Sequence, residues 1–449
     1  MRRIRPSSRA RNSSKSTPGR LGLTSSAATP ISSKASLIAP SPITATPSPL
    51  DPKFALAYNN RGNAYQAKGD HDRAIADFDK AIAALDPKDV AAGAAHFNRG
   101  NSYQAKGELD RAIADFDKAI AVDPKDVAFY YDRGNANRLK GDLDRAIADY
   151  DKAIALDPKY VAAYHNRGVA HKDNGDLDRA IADYDTLIAL DPKDAGAYEN
   201  RGRAYKAKGD LDRAIADYDK AIALDPKDAS AYTLRGLVYQ DKGEFDRAIA
   251  DYDRAIVLDP KDASAYTLRG LAYQDKVEFD RAIADYDKAI ALDPKDADPY
   301  VSRGLAYYLK GELDRTYDAG DFKGASADLL RSIEIDEDAY AMLYRFLAQS
   351  RAGEAAETER KANAGRLKTE EWPFAVTELY LGNRSPAATL AAAATPEQKC
   401  EAQFYLGQWH IVKGSRADAE TALRAAVDTC PKSSTEFRAA VAELKRLKP

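Results

Sequence analysis

Asparagine recurs in this chain at a spacing suited to reading a peptide backbone. Asn60, Asn98, Asn166 and Asn200, with Asp132 in the same series, follow one another at intervals of 38 or 34 residues. Asn63, Asn101 and Asn135 form a second series three positions further on. A primary amide offers one acceptor and two donors, so a row of them can hydrogen-bond successive peptide groups of an extended ligand. The next members of the first series are Leu234 and Leu268, with Leu237 and Leu271 beside them. That stretch is apolar, and exposed apolar patches mark partner sites. The alternative is that the asparagines were copied with their repeat and face only water. Catalytic and metal arrangements are missing from the sequence. There is no phosphate loop, G-x-S-x-G elbow or H-E-x-x-H pair. Five histidines (His71, His96, His165, His171, His410) are scattered, and the spacing of six between His165 and His171 puts them on different faces of a helix. The expectation is a binding protein without catalytic residues, cofactor or metal.

The elements that position these residues follow from composition and period. The 449 residues carry 67 Lys+Arg against 70 Asp+Glu, a net charge of -3. That balance argues against a globally basic nucleic-acid binder, and no apolar run approaches the ~18 residues of a membrane helix. The total hides an asymmetry. Residues 1–50 contain eight Lys and Arg, no acidic residue, and 24 Ser, Thr and Pro. Such a segment buries too little apolar surface to offset its chain entropy, so a disordered, solvated tail is predicted. A targeting segment, an anion-binding arm or a start placed too far upstream are the alternatives. The absence of a secretory signal predicts a soluble cytoplasmic protein.

From residue 51 the sequence repeats. Arg-Gly pairs begin at Arg61, Arg99, Arg133, Arg167, Arg201, Arg235, Arg269 and Arg303, and after the first interval every spacing is 34. A fixed period of this size signals a stacked repeat array. In the unit 195–228, Tyr198, Gly202 and Tyr205 share one face of a first helix. Gly209 can cap it in the left-handed conformation, and Asp210 can start a second helix. Ile215, Tyr218 and Ile222, with the small Ala214 and Ala221, are predicted to be the buried face of that second helix. Asp217 is expected on its outer face, paired with Arg213 and Lys220. Pro226 stops the helix.

The series Tyr198, Gly202, Tyr205, Ala214, Tyr218, Ala221 and Pro226 resembles a tetratricopeptide repeat (TPR). The match runs from residue 55 to about 315 as eight units beginning at 55, 93, 127, 161, 195, 229, 263 and 297. The resemblance implies an all-α, right-handed superhelical solenoid that binds protein or peptide partners on a concave wall of first-helix positions. The Asn series falls on those positions and is similar to the asparagine ladders of some peptide-binding solenoids. Asn59, Asn63 and Asn98 occupy places that a carboxylate clamp would use, but Ala128 and Asp132 replace its basic pair. Other departures carry their own expectations. Arg replaces the usual Leu before each Gly. Asn137 and His171 replace the second Tyr, predicting a looser interface. Val277 stands where the cap Gly belongs, predicting an opened turn. Thr316 replaces a small Ala, and about nine extra residues precede Phe322–Ile335.

Beyond the array (51–336), residues 337–399 read as degenerate helical repeats, with two helices expected over 336–370 and a short one over 384–397. Residues 400–449 read as a further TPR-like unit with a closing helix at 435–447. Trp372-Pro373, Leu379–Gly382, Phe404–Gly407 and Glu443-Leu444 resemble the C-terminal part of the bacterial NlpI-type lipoproteins, which implies an envelope adaptor for peptidoglycan hydrolases or proteases. The lipid-attachment cysteine of that family is missing. Cys400 opens the first helix of its hairpin and Cys430 closes the second. Antiparallel helices bring those ends together, so a disulfide is one reading and two buried thiols the other. A bond would imply an oxidising compartment such as the periplasm.

Overall fold

The computed structural model describes residues 52–313, 319–336, 338–353, 372–432 and 434–447. The predicted N-terminal tail and Thr316 lie outside them. Among the described residues there are 22 helices and no strand. The chain divides into two compact units that meet in sequence between Val238 and Tyr239.

The first unit contains five hairpins: α1 (Pro52–Ala67) with α2 (His71–Ala83), α3 (Val90–Ala105) with α4 (Leu109–Val122), α5 (Val127–Lys140) with α6 (Leu143–Leu156), α7 (Val161–Asp173) with α8 (Leu177–Leu190), and α9 (Ala195–Lys208) with α10 (Leu211–Leu224). The start of α11 (Ala229–Asp241) completes it. Local signals in the sequence set these boundaries. Gly209 ends α9 at φ 85°, and the Asp210 side chain accepts from the Arg213 backbone N–H to start α10. Tyr218 is fully buried, and it lies so close to α9 that a Cβ on Gly202 would come within 2.8 Å of its ring. Glycine is therefore obligatory at that crossing. Each such ring contributes roughly 1.5–3 kcal/mol of apolar burial.

The buried stripe of α10 differs from the expected one. Ala214, Asp217, Tyr218 and Ala221 are buried, and Ile215 and Ile222 are only half-buried. Asp217 is not on the outer face. Arg201 Nε and Nη2 donate to its two carboxylate oxygens at 2.9 and 2.7 Å, and Arg201 Nη1 donates to Asp185 of the preceding hairpin at 2.5 Å. Arg213 pairs instead with Asp210 at 3.2 Å. The same fork joins Arg61 to Asp77, Arg99 to Asp115 and Asp79, Arg133 to Asp149 and Asp117, and Arg167 to Asp183 and Asp151. This explains why Arg stands in the usual Leu slot. Each guanidinium neutralises a buried carboxylate of its own hairpin, and all but Arg61 also tie it to the hairpin before.

The second unit holds the end of α11, then α12 (Phe245–Leu258), α13 (Ala263–Asp275), α14 (Phe279–Leu292), α15 (Asp298–Leu313), α16 (Ala319–Ile335), α17 (Ala339–Ala352), α18 (Phe374–Leu381), α19 (Pro386–Ala392), α20 (Pro396–Val412), α21 (Arg416–Thr429) and α22 (Thr435–Arg446). Arg269 holds Asp285 and Asp253 here, and Arg303 holds Asp328 and Asp287. Arg303 lies 25 residues before its buried partner rather than 16, which measures the insertion in the eighth hairpin as nine residues. The turn at Val277 does not open. Val277 keeps φ at 66°, with both turn hydrogen bonds made at 2.9 Å. Residues 338–353 supply one of the two helices expected between 336 and 370; residues 354–371 lie outside the described ones.

The substitutions in hairpins three and four do not loosen their cores. Asn137 is buried and donates to Asp149 at 3.0 Å, and His171 is buried near Asp183 and Arg167. At the other end of the chain, Cys400 and Cys430 are joined in a disulfide with Cα atoms 4.8 Å apart. The closing helix α22 packs on α20, α21 and α15. Its Arg446 donates to the Gly311 carbonyl at 3.2 Å, and its Arg438 to the Asp275 carbonyl at 3.3 Å.

Candidate functional site

Three slots per first helix define the face that carries the Asn series. In α5 they are Tyr131, Asn135 and Arg138, at i, i+4 and i+7 on one side of the helix. In α7 they are His165, Val169 and Lys172, and in α9 Glu199, Arg203 and Lys206. The predicted residues lie on or beside this face. Asn60 and Asn63 on α1 are exposed, and Asn98, Asn101, Asp132, Asn135, Asn166 and Asn200 are half-buried.

Lateral hydrogen bonds bring these residues together. Asn98 Nδ2 donates to Asn59 Oδ1 of the previous hairpin at 3.1 Å. Asn166 Nδ2 donates to Asn135 Oδ1 at 2.7 Å and to the Tyr131 hydroxyl at 3.0 Å. The Tyr150 hydroxyl, rising from α6, donates to the same Asn135 oxygen at 2.9 Å. Asn200 Nδ2 faces His165 Nε2 at 3.1 Å, and His165 Nδ1 faces Asn166 Oδ1 at 3.1 Å. Those two contacts are both satisfied by the neutral Nδ1–H tautomer, which donates to Asn166 and accepts from Asn200. The chain Asn200–His165–Asn166–Asn135 thus runs across three hairpins. Among the described residues, the side-chain oxygens of Asn98 and Asn200 have no protein donor. An amide held in place on one side and open on the other is preorganised for a ligand.

Two carboxyls on this face are held in unusual states by their surroundings. Burial pushes Asp132 up to about 6, against hydrogen bonds from Asn135 and Asn101 that pull it down. Burial and the neighbouring Asp228 carboxyl raise Glu199 well above the carboxylate range, opposed by Arg203, whose Nη2 is 3.6 Å away.

The leucines are placed differently from the amides. Leu234 is half-buried against Ala214, Tyr218 and Val238, and Leu237 is half-buried. Leu268 and Leu271, in the second unit, are half-buried as well. The most exposed leucines on first helices are Leu56 (62%) and Leu139 (56%), neither of which the sequence singled out. Tyr131, Arg138, His165 and Arg203 were also missed. Their signal was their fixed place in the 34-residue period, one slot before or three slots after the Asn series.

No helix among the described residues is long and apolar enough to cross a membrane, and no group of three His, Cys, Asp or Glu there is arranged to hold a metal ion.

Comparison with known proteins identifies the repeat. Family models of the tetratricopeptide repeat match residues 53–125, 97–161 and 149–182. A further TPR repeat model matches 170–209, 202–243, 239–277 and 278–311. Among solved structures, the chain is similar to a tetratricopeptide repeat protein from Parabacteroides merdae, at 21% identity and a TM-score of 0.47 over 57% of this chain and 99% of that one. It is similar to MamA at 36% identity and a TM-score of 0.35 over 38% of this chain and 93% of that one. YrrB, a TPR protein with an unusual peptide-binding site, matches at 24% identity and a TM-score of 0.34 over 41% of this chain and 95% of that one. With the matched repeats running from residue 53 to residue 311, the chain belongs to the tetratricopeptide-repeat family.

Proposed function

We propose that this TPR protein is a non-enzymatic scaffold whose first-helix face in residues 52–238 binds an extended peptide segment of a partner protein. Asn60, Asn63, Asn98, Asn101, Asn166 and Asn200 contact the peptide backbone, with Asp132 and Asn135 holding the row in register. Leu234 and Leu237 contact apolar side chains of that segment, and Leu268 and Leu271 form an apolar surface of the second unit by itself. The observation that carries this reading is the lateral bonding of the amides. Asn98 and Asn200 each give an N–H to the preceding hairpin and keep an acceptor for a peptide N–H. Replacing Asn60, Asn98, Asn166 and Asn200 with Ala and repeating a crosslinking pull-down from native cells tests it. Loss of partners with unchanged helicity is expected; unchanged capture rejects the row as a binding element.

The Cys400–Cys430 bond favours a second, narrower reading. A disulfide persists in oxidising compartments, which fits a bacterial cell-envelope adaptor for peptidoglycan hydrolases or proteases. Thiol labelling of native extract, with and without reductant, separates the two. Two cysteines that label without reductant remove the envelope reading and leave the scaffold untouched.

A further inference from the structure

The array opens on a helix face that later hairpins keep covered. In α9, Ala197 and Ala204 are buried in one cluster with Ala180, Tyr184 and Leu187 of α8, and Ile181 and Ile188 of α8 pack against it. The matching residues of α1, Ala57 and Ala64, are exposed, as is Leu56 beside them. Two cations mark the same face. Arg99, Arg133, Arg167 and Arg201 each reach back to an aspartate of the preceding second helix. Lys106, Lys140 and Lys208 reach back to Asp72, Asp110 and Asp178 in the same way. In the first hairpin both contacts are missing. Arg61 holds only its own Asp77, and its side chain is 41% exposed against 23% or less for the other four. Lys68, just past α1, is exposed and has no carboxylate partner among the described residues.

The rest of the array shows what fits such a face. On α8 the covering residues are Asp178, Ile181, Asp185 and Ile188, at i, i+3, i+7 and i+10, which form one stripe of a helix. We propose that the open face of α1 docks an acidic amphipathic helix of a partner protein, one that presents Asp, Ile, Asp and Ile at this spacing and continues the stack in place of a preceding hairpin. Lys68 and Arg61 take the two carboxylates, and Leu56, Ala57 and Ala64 take the aliphatic side chains. Charge selects this occupant. Residues 1–50 contain no acidic residue and cannot supply the aspartates. In a second copy, the stripes on α2, α4, α6 and α8 already meet the next hairpin, and pairing two α1 faces would set like charges against each other. The docked helix is distinct from the extended segment bound by the amides, and neither binding event requires the other.

The probe is a fluorescent, acetylated and amidated helical peptide of about 20 residues, carrying Asp, Ile, Asp and Ile at i, i+3, i+7 and i+10 on an Ala-Gln-Lys background. Its control has Asn for both Asp. Anisotropy titrations with the full chain are expected to show the Asp peptide binding about tenfold more tightly than the Asn peptide. Lys68→Gln should cut that advantage about threefold and leave the Asn peptide unchanged. Ala64→Glu, at an exposed position outside the hairpin core, should weaken both peptides at least about tenfold with helicity unchanged. Equal affinity of the two peptides, binding that survives Ala64→Glu, or no binding at millimolar concentration overturns the docking site. A full-chain dimer dissolved by Ala64→Glu overturns it by assigning the face to a second copy. A gain of about tenfold for the Asp peptide on deletion of residues 1–50 overturns it by assigning the face to that segment.

Discussion

Replacing Arg201 by Leu, the residue that TPR units usually carry in that slot, should destabilise the fifth hairpin severely. The Arg201 side chain makes three charged hydrogen bonds, two to Asp217 and one to Asp185. Asp217 is the partner that suffers, because its side chain is only 8% exposed. Asp185 is 53% exposed and returns to water at little cost. Breaking a buried pair by removing one partner costs about 3–5 kcal/mol. With one side of the pair reachable by solvent, the lower end, about 3 kcal/mol, applies. The double variant Arg201→Leu/Asp217→Leu removes the stranded charge and should recover most of that loss, giving a coupling of at least about 2 kcal/mol. A repeat array need not unfold in one step, so native-state hydrogen exchange of α9 and α10 is the proper assay. A cost below about 1 kcal/mol for Arg201→Leu, or a double variant no more stable than the single one, would refute the view that the Arg slot exists to neutralise the buried aspartate.

Val277→Gly should stabilise the chain by about 0.5–1 kcal/mol, since relief of a left-handed β-branched residue outweighs the added freedom of glycine in the unfolded chain; Gly243→Val at the matching turn should lose about 1–2 kcal/mol, both read from urea midpoints. Tyr184 and Tyr218 bury hydroxyls without a partner, whereas the Tyr286 hydroxyl donates to Gln274 at 3.1 Å. Changing either of the first two to Phe should therefore be neutral or stabilising by about 1 kcal/mol, and Tyr286→Phe should cost about 1 kcal/mol. Asp132, held up to about 6 when folded, binds more protons than in the unfolded chain between roughly pH 4 and 6, so stability falls as pH rises through that window and is flat above it. Asp132→Asn should thus gain about 1–2 kcal/mol at pH 7.5 and almost nothing at pH 4; equal gains at both would exclude the carboxyl as the cause.

The hairpins were legible because their signals are local. A glycine at the left-handed cap (Val277 in one hairpin) and an acidic residue at the next N-cap recur every 34 residues, and both were found where the sequence placed them in the 195–228 unit. The Arg–Asp fork was hidden for a physical reason. Helical periodicity assigns a charged residue to solvent, and the partner that makes Asp217 a core residue lies 16 positions back on another helix. The same limit explains Asn137, whose polar side chain looked like a packing defect and instead bonds the buried Asp149. Val277 was recognised as a misfit, but the opened turn expected from it does not occur. The Val277 N–H to the Gln274 carbonyl and the Glu278 N–H to the Tyr273 carbonyl keep the loop closed. The Asn series was visible as one amide per hairpin. The lateral bonds among its members depend on how consecutive first helices are set against each other.

The central claim is that amides on the first-helix face read a peptide backbone. It is tested most directly by selecting a binding peptide on the full chain by phage display and measuring its affinity for the unaltered chain and for Asn98→Ala/Asn166→Ala/Asn200→Ala. The account predicts a loss of at least about tenfold, reproduced in the unaltered chain when the peptide's backbone N–H groups are methylated. An affinity that is unchanged by both alterations would contradict it.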